Sequence, residues 1–230
     1  MIMAKILVVA TNVENYETTD RATGVWLGEV THFVEEMAAA GHEIDYVSPK
    51  GGYVPIDPAS LKAANDTDWK WYGNDIFKQR ALAATMKPSA VNPLEYAAIY
   101  YAGGHGAMWD FKDNTELQEI AETIYANGGF VTGVCHGVVG LVNVVDRQTG
   151  VPVLHGKKVT GFSTMEERLN GTKKQMPYLT QDAMTAAGGK YKAKRPLKSY
   201  VRIDGRVITG QNPPSAQKVG KKLAAALEAK

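Results

Sequence analysis

Among 230 residues there is a single cysteine. One thiol excludes an intrachain disulfide framework and any multi-cysteine metal cluster, so zinc or iron would need histidine and carboxylate ligands. An excess of one charge is also missing: Lys+Arg 26 against Asp+Glu 24 leave a formal net charge of +2. That near-balance gives no reason to expect nucleic acid or an anionic membrane as partner. No apolar run reaches the roughly 18 residues of a membrane span. The opening segment, Met1-Ile2-Met3-Ala4-Lys5-Ile6-Leu7-Val8-Val9-Ala10, lacks the basic leader and spacer of a targeting peptide, and the expected location is the cytoplasm. What is present is ordinary globular composition, with 44% hydrophobic and 22% charged residues and a mean hydropathy of −0.24. Such a chain buries enough apolar surface to offset its ordering entropy.

Short β-rich runs recur at residues 5–11, 43–49, 97–102, 130–134, 158–162, 200–203 and 207–209. Unbroken apolar runs suit strands covered on both faces of a parallel sheet, whereas Asp204-Gly205 between the last two predicts a hairpin. Helical periodicity fills the intervals. Over residues 25–40, Val25, Leu27, Val30, Phe33, Val34 and Met37 form an apolar stripe, stopped by Gly41. Over 114–127, Leu117, Ile120, Ala121 and Ile124 share a face; Asp113 and Glu116 suggest a capping box, and Gly128-Gly129 a stop. A last helix follows Asn212-Pro213-Pro214 and runs through Leu223 to Leu227. Alternating strands and helices predict one α/β domain over 1–230, a mostly parallel sheet with right-handed crossovers. Residues 50–93 and 145–157 interrupt the rhythm as decorations on that domain.

The most informative segment is Phe130-Val131-Thr132-Gly133-Val134-Cys135-His136-Gly137-Val138-Val139-Gly140-Leu141. An apolar strand ends at Cys135, and small residues able to start a helix follow. Such a turn places a side chain at the carboxyl end of a sheet strand, where α/β folds bind ligands. It also aims a thiol at a helix N-terminus, which favours thiolate, and resembles a nucleophile elbow. The competing reading is a small buried core residue. A second strand runs into glycines at Ala102-Gly103-Gly104-His105-Gly106. Gly103 and Gly104 there either expose backbone N–H groups to an oxyanion or make a plain tight turn.

Taken together, Ala102-Gly103-Gly104-His105-Gly106, Val134-Cys135-His136-Gly137, Val159-Thr160-Gly161-Phe162 with Glu166-Glu167, and Thr209-Gly210-Gln211-Asn212-Pro213 resemble the ThiJ/PfpI superfamily. Within it the chain is similar to the branch containing glyoxalase III and heat-inducible holding chaperones. The resemblance spans nearly the whole chain and implies a flavodoxin-like, doubly wound sheet sandwiched by helices, of the class I glutamine-amidotransferase-like type. It implies a nucleophile at Cys135, a partner imidazole at His136, and an acid orienting that imidazole at Glu167, with Glu166 the alternative. It also implies a carboxylate bonded to the sulfur, which maps to Glu29 within Thr23-Gly24-Val25-Trp26-Leu27-Gly28-Glu29; taken without the resemblance, a helix glutamate is expected to be solvated. Gly103, Gly104 and His136 would hold the oxyanion. Val138 stands where the family often has proline, which weakens the branch assignment more than the chemistry.

The activity this implies is cofactor-independent cysteine chemistry on small reactive 2-oxoaldehydes: glutathione-independent conversion of methylglyoxal to D-lactate, with protein deglycation related. The alternatives are a holding chaperone acting on unfolded proteins, a cysteine oxidation sensor, and an amidase or peptidase-like hydrolase. No metal is expected, because His32, His42 and His155 lack paired ligand spacing. A homodimer is expected from the family habit. Trp69, Trp71, Tyr72 and Tyr53 in the long excursion suit a pocket wall, a dimer contact or an apolar client surface. The basic run from Lys190 to Lys198 is expected to be a solvated loop rather than a phosphate site.

Overall fold

A computed structural model describes residues 3–229; Met1 and Ile2 of the opening run, and Lys230, lie outside the described residues. In chain order the elements are β1 (Lys5–Val9), α1 (Leu27–Ala39), β2 (Glu43–Val47), α2 (Pro58–Lys62), α3 (Asp66–Tyr72), α4 (Asp75–Phe77), β3 (Ala98–Tyr101), α5 (Ala107–Asp110), α6 (Thr115–Ala126) and β4 (Phe130–Val134). Then come β5 (Lys158–Val159), α7 (Thr164–Leu169), α8 (Thr180–Ala186), β6 (Lys190–Tyr191), β7 (Val201–Asp204), β8 (Val207–Gly210) and α9 (Ala216–Glu228).

The main sheet has six strands in the order β2-β1-β3-β4-β8-β7. Neighbours are parallel except β7 and β8, the hairpin announced by Asp204-Gly205. This is the flavodoxin-like, doubly wound order. Both faces are covered. On one, Phe33, Val34 and Met37 of α1 and Val219 and Leu223 of α9 pack on Ile6, Val8 and Tyr100. On the other, Leu117, Ile120 and Ile124 of α6 and Met184 of α8 pack on Leu7, Ile99 and Val131. Alternate residues of each strand thus feed opposite cores, which is why the runs read as continuously apolar.

Local signals shift in places. α6 is capped by Asn114, whose side chain accepts from the Leu117 N–H, not by an Asp113–Glu116 box. Residues 158–162 do not join the main sheet: β5 pairs with β6 in a separate two-stranded sheet. Val25 precedes α1 and instead bridges Ile56. The 50–93 excursion folds as short helices tied back by bridges from Val47 to Met86 and from Gly52 to Thr85, with Phe77, Ala81 and Leu82 buried beside Tyr46. Val153 and Leu154 of the 145–157 insertion are buried in the opposite core. Among the described residues no helix is long and apolar enough to cross a membrane.

Candidate active site

β3 and β4 are paired in register, with Tyr101 opposite Gly133, so their two glycine-bearing turns emerge together at the carboxyl edge of the sheet. Cys135 follows β4 directly with φ 56, a left-handed conformation that costs a side-chain-bearing residue ~1–3 kcal/mol. Close packing behind the turn holds it there: a Cβ on Gly137 would lie 2.3 Å from the Tyr101 carbonyl oxygen. Residues 135–141 then run as a buried 3-10 turn.

The Cys135 Sγ lies 3.4 Å from Nδ1 of His136, and Nε2 of the same ring lies 2.5 Å from Oε1 of Glu167. The other oxygen of Glu167 accepts from the Thr172 hydroxyl and lies 3.4 Å from Nε2 of His105. Burial would raise the Glu167 pKa, yet the two imidazoles hold it well below the ordinary carboxylate range. An ionised Glu167 keeps a proton on His136 Nε2 and leaves Nδ1 as the acceptor facing the sulfur. His105, packed on His136 with ring centroids 4.2 Å apart, has its pKa lowered by burial and by that neighbouring imidazole.

Glu166 has a different task. Its carboxylate accepts from the Ser163 N–H and hydroxyl, the Gln211 and Asn212 side-chain amides and the Leu197 N–H. It caps α7 and pins the chain near Leu197, while Glu167 alone of the pair meets His136. Glu29 is fully buried, not solvated. Its Oε2 accepts from the Gly103 N–H at 2.6 Å, and its carboxyl interacts with the Cys135 thiol. Burial pushes its pKa up to about 8, so at neutral pH it is protonated and able to donate to sulfur.

Two expectations need correction. The Gly103 N–H is committed to Glu29, so it does not face a substrate; Gly104 lines the cavity instead. Gly104 has φ 110 and room for nothing larger, since a Cβ would meet the Gly24 carbonyl oxygen at 2.1 Å. The thiol, expected to be shifted toward thiolate by a helix N-terminus, is pushed up: burial penalises the anion and any negative charge on Glu29 opposes it further, while the His136 N–H pulls the other way. The short 3-10 turn offers too little dipole to overcome burial.

Cys135, His136, His105 and Gly104 line a cavity of about 430 Å³ with apolar walls of Trp26, Phe162, Leu197, Pro213 and Pro214. None of Trp69, Trp71, Tyr72 or Tyr53 lines it; Tyr53, Trp69 and Tyr72 are exposed, and Trp71 packs against the core. The run from Lys190 to Lys198 is more than a solvated loop. Lys190 and Tyr191 form β6, Leu197 takes φ 59 and lines the cavity, and the N–H groups of Lys194 and Leu197 are held by Gln211 and Glu166. His105, His136 and Glu167 place ligand atoms within 4.8 Å of one another, a group able to hold a metal ion and one that includes none of His32, His42 and His155. His105 was visible only as part of Gly103-Gly104-His105-Gly106. His32, Asn65 and Asp68 also line the cavity; Asn65 and Asp68 gave no sequence signal, and His32 was visible only as a histidine without paired ligand spacing.

Fold and geometry define a class: a flavodoxin-like α/β protein carrying a Cys–His–Glu constellation on a strand-to-turn elbow. The chain belongs to the DJ-1/PfpI family, which it matches over residues 21–226. It is 34% identical to the glutathione-independent glyoxalase HSP31 of Saccharomyces cerevisiae, covering 94% of each chain. It is 32% identical to glyoxalase 3 of Candida albicans over 98% of this chain and 99% of that one. The crystal structure of glyoxalase III from Candida albicans superposes with a TM-score of 0.90 at 31% identity, covering 99% of each chain. The Rapid Encystment Protein 24 kDa of Francisella tularensis superposes with a TM-score of 0.93 at 36% identity, covering 98% of this chain and 99% of that one.

Proposed function

We propose that the protein is a glutathione-independent glyoxalase that converts 2-oxoaldehydes such as methylglyoxal into 2-hydroxy acids. The observation that carries this reading is Cys135 Sγ at 3.4 Å from the acceptor nitrogen of His136, inside an apolar-walled cavity. Because the resting thiol is pushed up, ionisation accompanies attack. His136 Nδ1 takes the thiol proton as Sγ bonds to the aldehyde carbon, and protonated Glu29 stabilises the sulfur as charge develops. The hemithioacetal oxygen, held by the N–H groups of Gly104 and His136, takes the former thiol proton from His136 Nδ1, which frees that nitrogen to act as a base. His136 then carries the aldehyde-derived proton to the neighbouring carbon through an enediol. That carbon becomes the 2-hydroxy centre, and the first becomes a thioester. One water hydrolyses the thioester and frees the thiol, so one carbonyl carbon is oxidised as its neighbour is reduced and no external oxidant, reductant or cofactor is consumed. The partner is therefore a small dicarbonyl.

NMR of the product from methylglyoxal tests the reading: wild type gives lactate of one hand, D in this proposal, and Cys135→Ala gives none. Unchanged methylglyoxal loss in the variant would refute it. A holding-chaperone role is a second reading, favoured by the exposed Trp69, Tyr72 and Ile76 of the excursion. Cys135→Ala would leave protection of a heat-aggregating client intact.

A further inference from the structure

The cavity is large for a three-carbon substrate. At about 430 Å³ it falls in the ~300–1,000 Å³ range of pockets that enclose drug-sized ligands. Its lining is apolar near the sulfur but includes a polar group that the chemistry above does not use. His32 is three residues beyond Glu29 on α1, hence on the same helix face and about 5 Å further along the axis. Gly28 lines the same cavity as His32, and a Cβ there would approach the Asp68 carboxylate to 3.3 Å.

That group is firmly built. Asp68 is 3% exposed; its carboxylate accepts from the Thr31 hydroxyl and the Asn65 N–H, and lies 3.6 Å from His32 Nε2. The carboxylate raises the His32 pKa and the imidazole helps to lower that of Asp68 against burial, so each favours the charged form of the other. Asn65 caps α3, its Oδ1 accepting from the Thr67 N–H; the same oxygen lies 3.3 Å from His32 Nε2, which donates as an N–H facing Asp68, so the neighbouring Asn65 NH2, 3.1 Å from that nitrogen, is left as a donor for a ligand. Donors and acceptors thus converge where the charges cancel. The adjoining groove, shared by His32 and Asn65, adds Asp66 and a Glu35 already paired with Lys70, so an anionic tail finds no net positive field.

We propose that His32, Asn65 and Asp68 form a second subsite that binds the hydroxylated tail of longer, sugar-derived 2-oxoaldehydes while Cys135 engages the aldehyde. Neutral hydroxyls can pair with the Asn65 amide and the His32 imidazole around the buried Asp68, whereas an apolar tail would desolvate the amide and the imidazole without replacing their hydrogen bonds. The proposal rests on the glyoxalase reading.

The test compares kcat/KM for 3-deoxyglucosone, methylglyoxal and phenylglyoxal in wild type, Asn65→Ser and His32→Leu. Serine preserves the cap of α3 and deletes the amide. Wild type should prefer 3-deoxyglucosone to methylglyoxal. Each variant should lower that preference about tenfold, equivalent to ~1.4 kcal/mol; as a ratio within one preparation, it is insensitive to lost folded enzyme. The ratio of phenylglyoxal to methylglyoxal should stay within about twofold. A wild-type preference for methylglyoxal, an unmoved ratio in both variants, or an equal fall with phenylglyoxal would overturn the subsite. Turnover of none of the three by wild type would instead overturn the glyoxalase reading itself, and the subsite with it.

Discussion

Replacing Glu29 with glutamine should make the protein more stable and less active. In the unfolded chain this carboxyl titrates near 4.5; buried beside Cys135 it titrates near 8. Between those values the unfolded state has released a proton that the folded state retains, so stability falls as pH rises. One proton corresponds to ~1.4 kcal/mol per pH unit, which amounts to ~3 kcal/mol of lost stability by about pH 7 and ~5 kcal/mol once both states are ionised. Glutamine is neutral throughout, and its carbonyl can still accept from the Gly103 N–H. Urea unfolding of wild type and Glu29→Gln across the interval from 4.5 to 8 should therefore show a stabilisation that is small at the acid end and grows with pH. Activity should move the other way. Wild-type kcat/KM should decline near pH 8 as Glu29 ionises, and the variant should start lower and lack that limb. A stability difference that does not grow with pH, or an unchanged alkaline limb, would refute the assignment of a protonated Glu29.

Neighbouring carboxylates should respond differently. Glu167→Gln should lower kcat on the order of a hundredfold through loss of His136 orientation. Glu166→Gln should instead lower thermal stability, by ~2–4 kcal/mol, because an NH2 would face donors that now meet a carboxylate; equal loss of kcat in both would merge the two roles. Since the Glu167 pKa is depressed, its stabilising contribution is complete above the unfolded value of about 4.5 and lost as pH falls below it. Acid titration by circular dichroism should show a weaker acid transition in Glu167→Gln. Gly104→Ala, with its Cβ directed at the Gly24 carbonyl, should abolish turnover or soluble expression, and a fully active variant would contradict the close approach. Chelation with EDTA should leave turnover unchanged; loss restored by zinc would place a working metal on His105, His136 and Glu167.

The sheet was legible because strands buried on both faces write themselves as unbroken apolar runs, and the strand-to-turn junction at Cys135 because an apolar run there gives way to small residues. Glu167 was reachable through the family resemblance, but its separation from Glu166 was not: adjacent glutamates on one helix start look alike until Ser163 claims the first and His136 meets the second. The thiol's direction of shift was misjudged because a helix start is visible in sequence and the depth of burial is not. Gly103 was misjudged for a related reason, since its N–H partner is 74 residues away in sequence. Asn65 and Asp68 carry no signal in the sequence, and His32 reads there only as a histidine without paired ligand spacing; their meeting depends on how α1 and α3 pack, which no periodicity records.

The clamp made by Glu166 has a consequence for how the cavity rim tolerates change. It and Asn212 grip the segment bearing Leu197 by main-chain atoms, the Leu197 N–H and the Lys198 carbonyl. Side chains along that rim are therefore replaceable without loosening their support. The cavity rim can change its side chains while the Cys135–His136–Glu167 contacts behind it stay as they are.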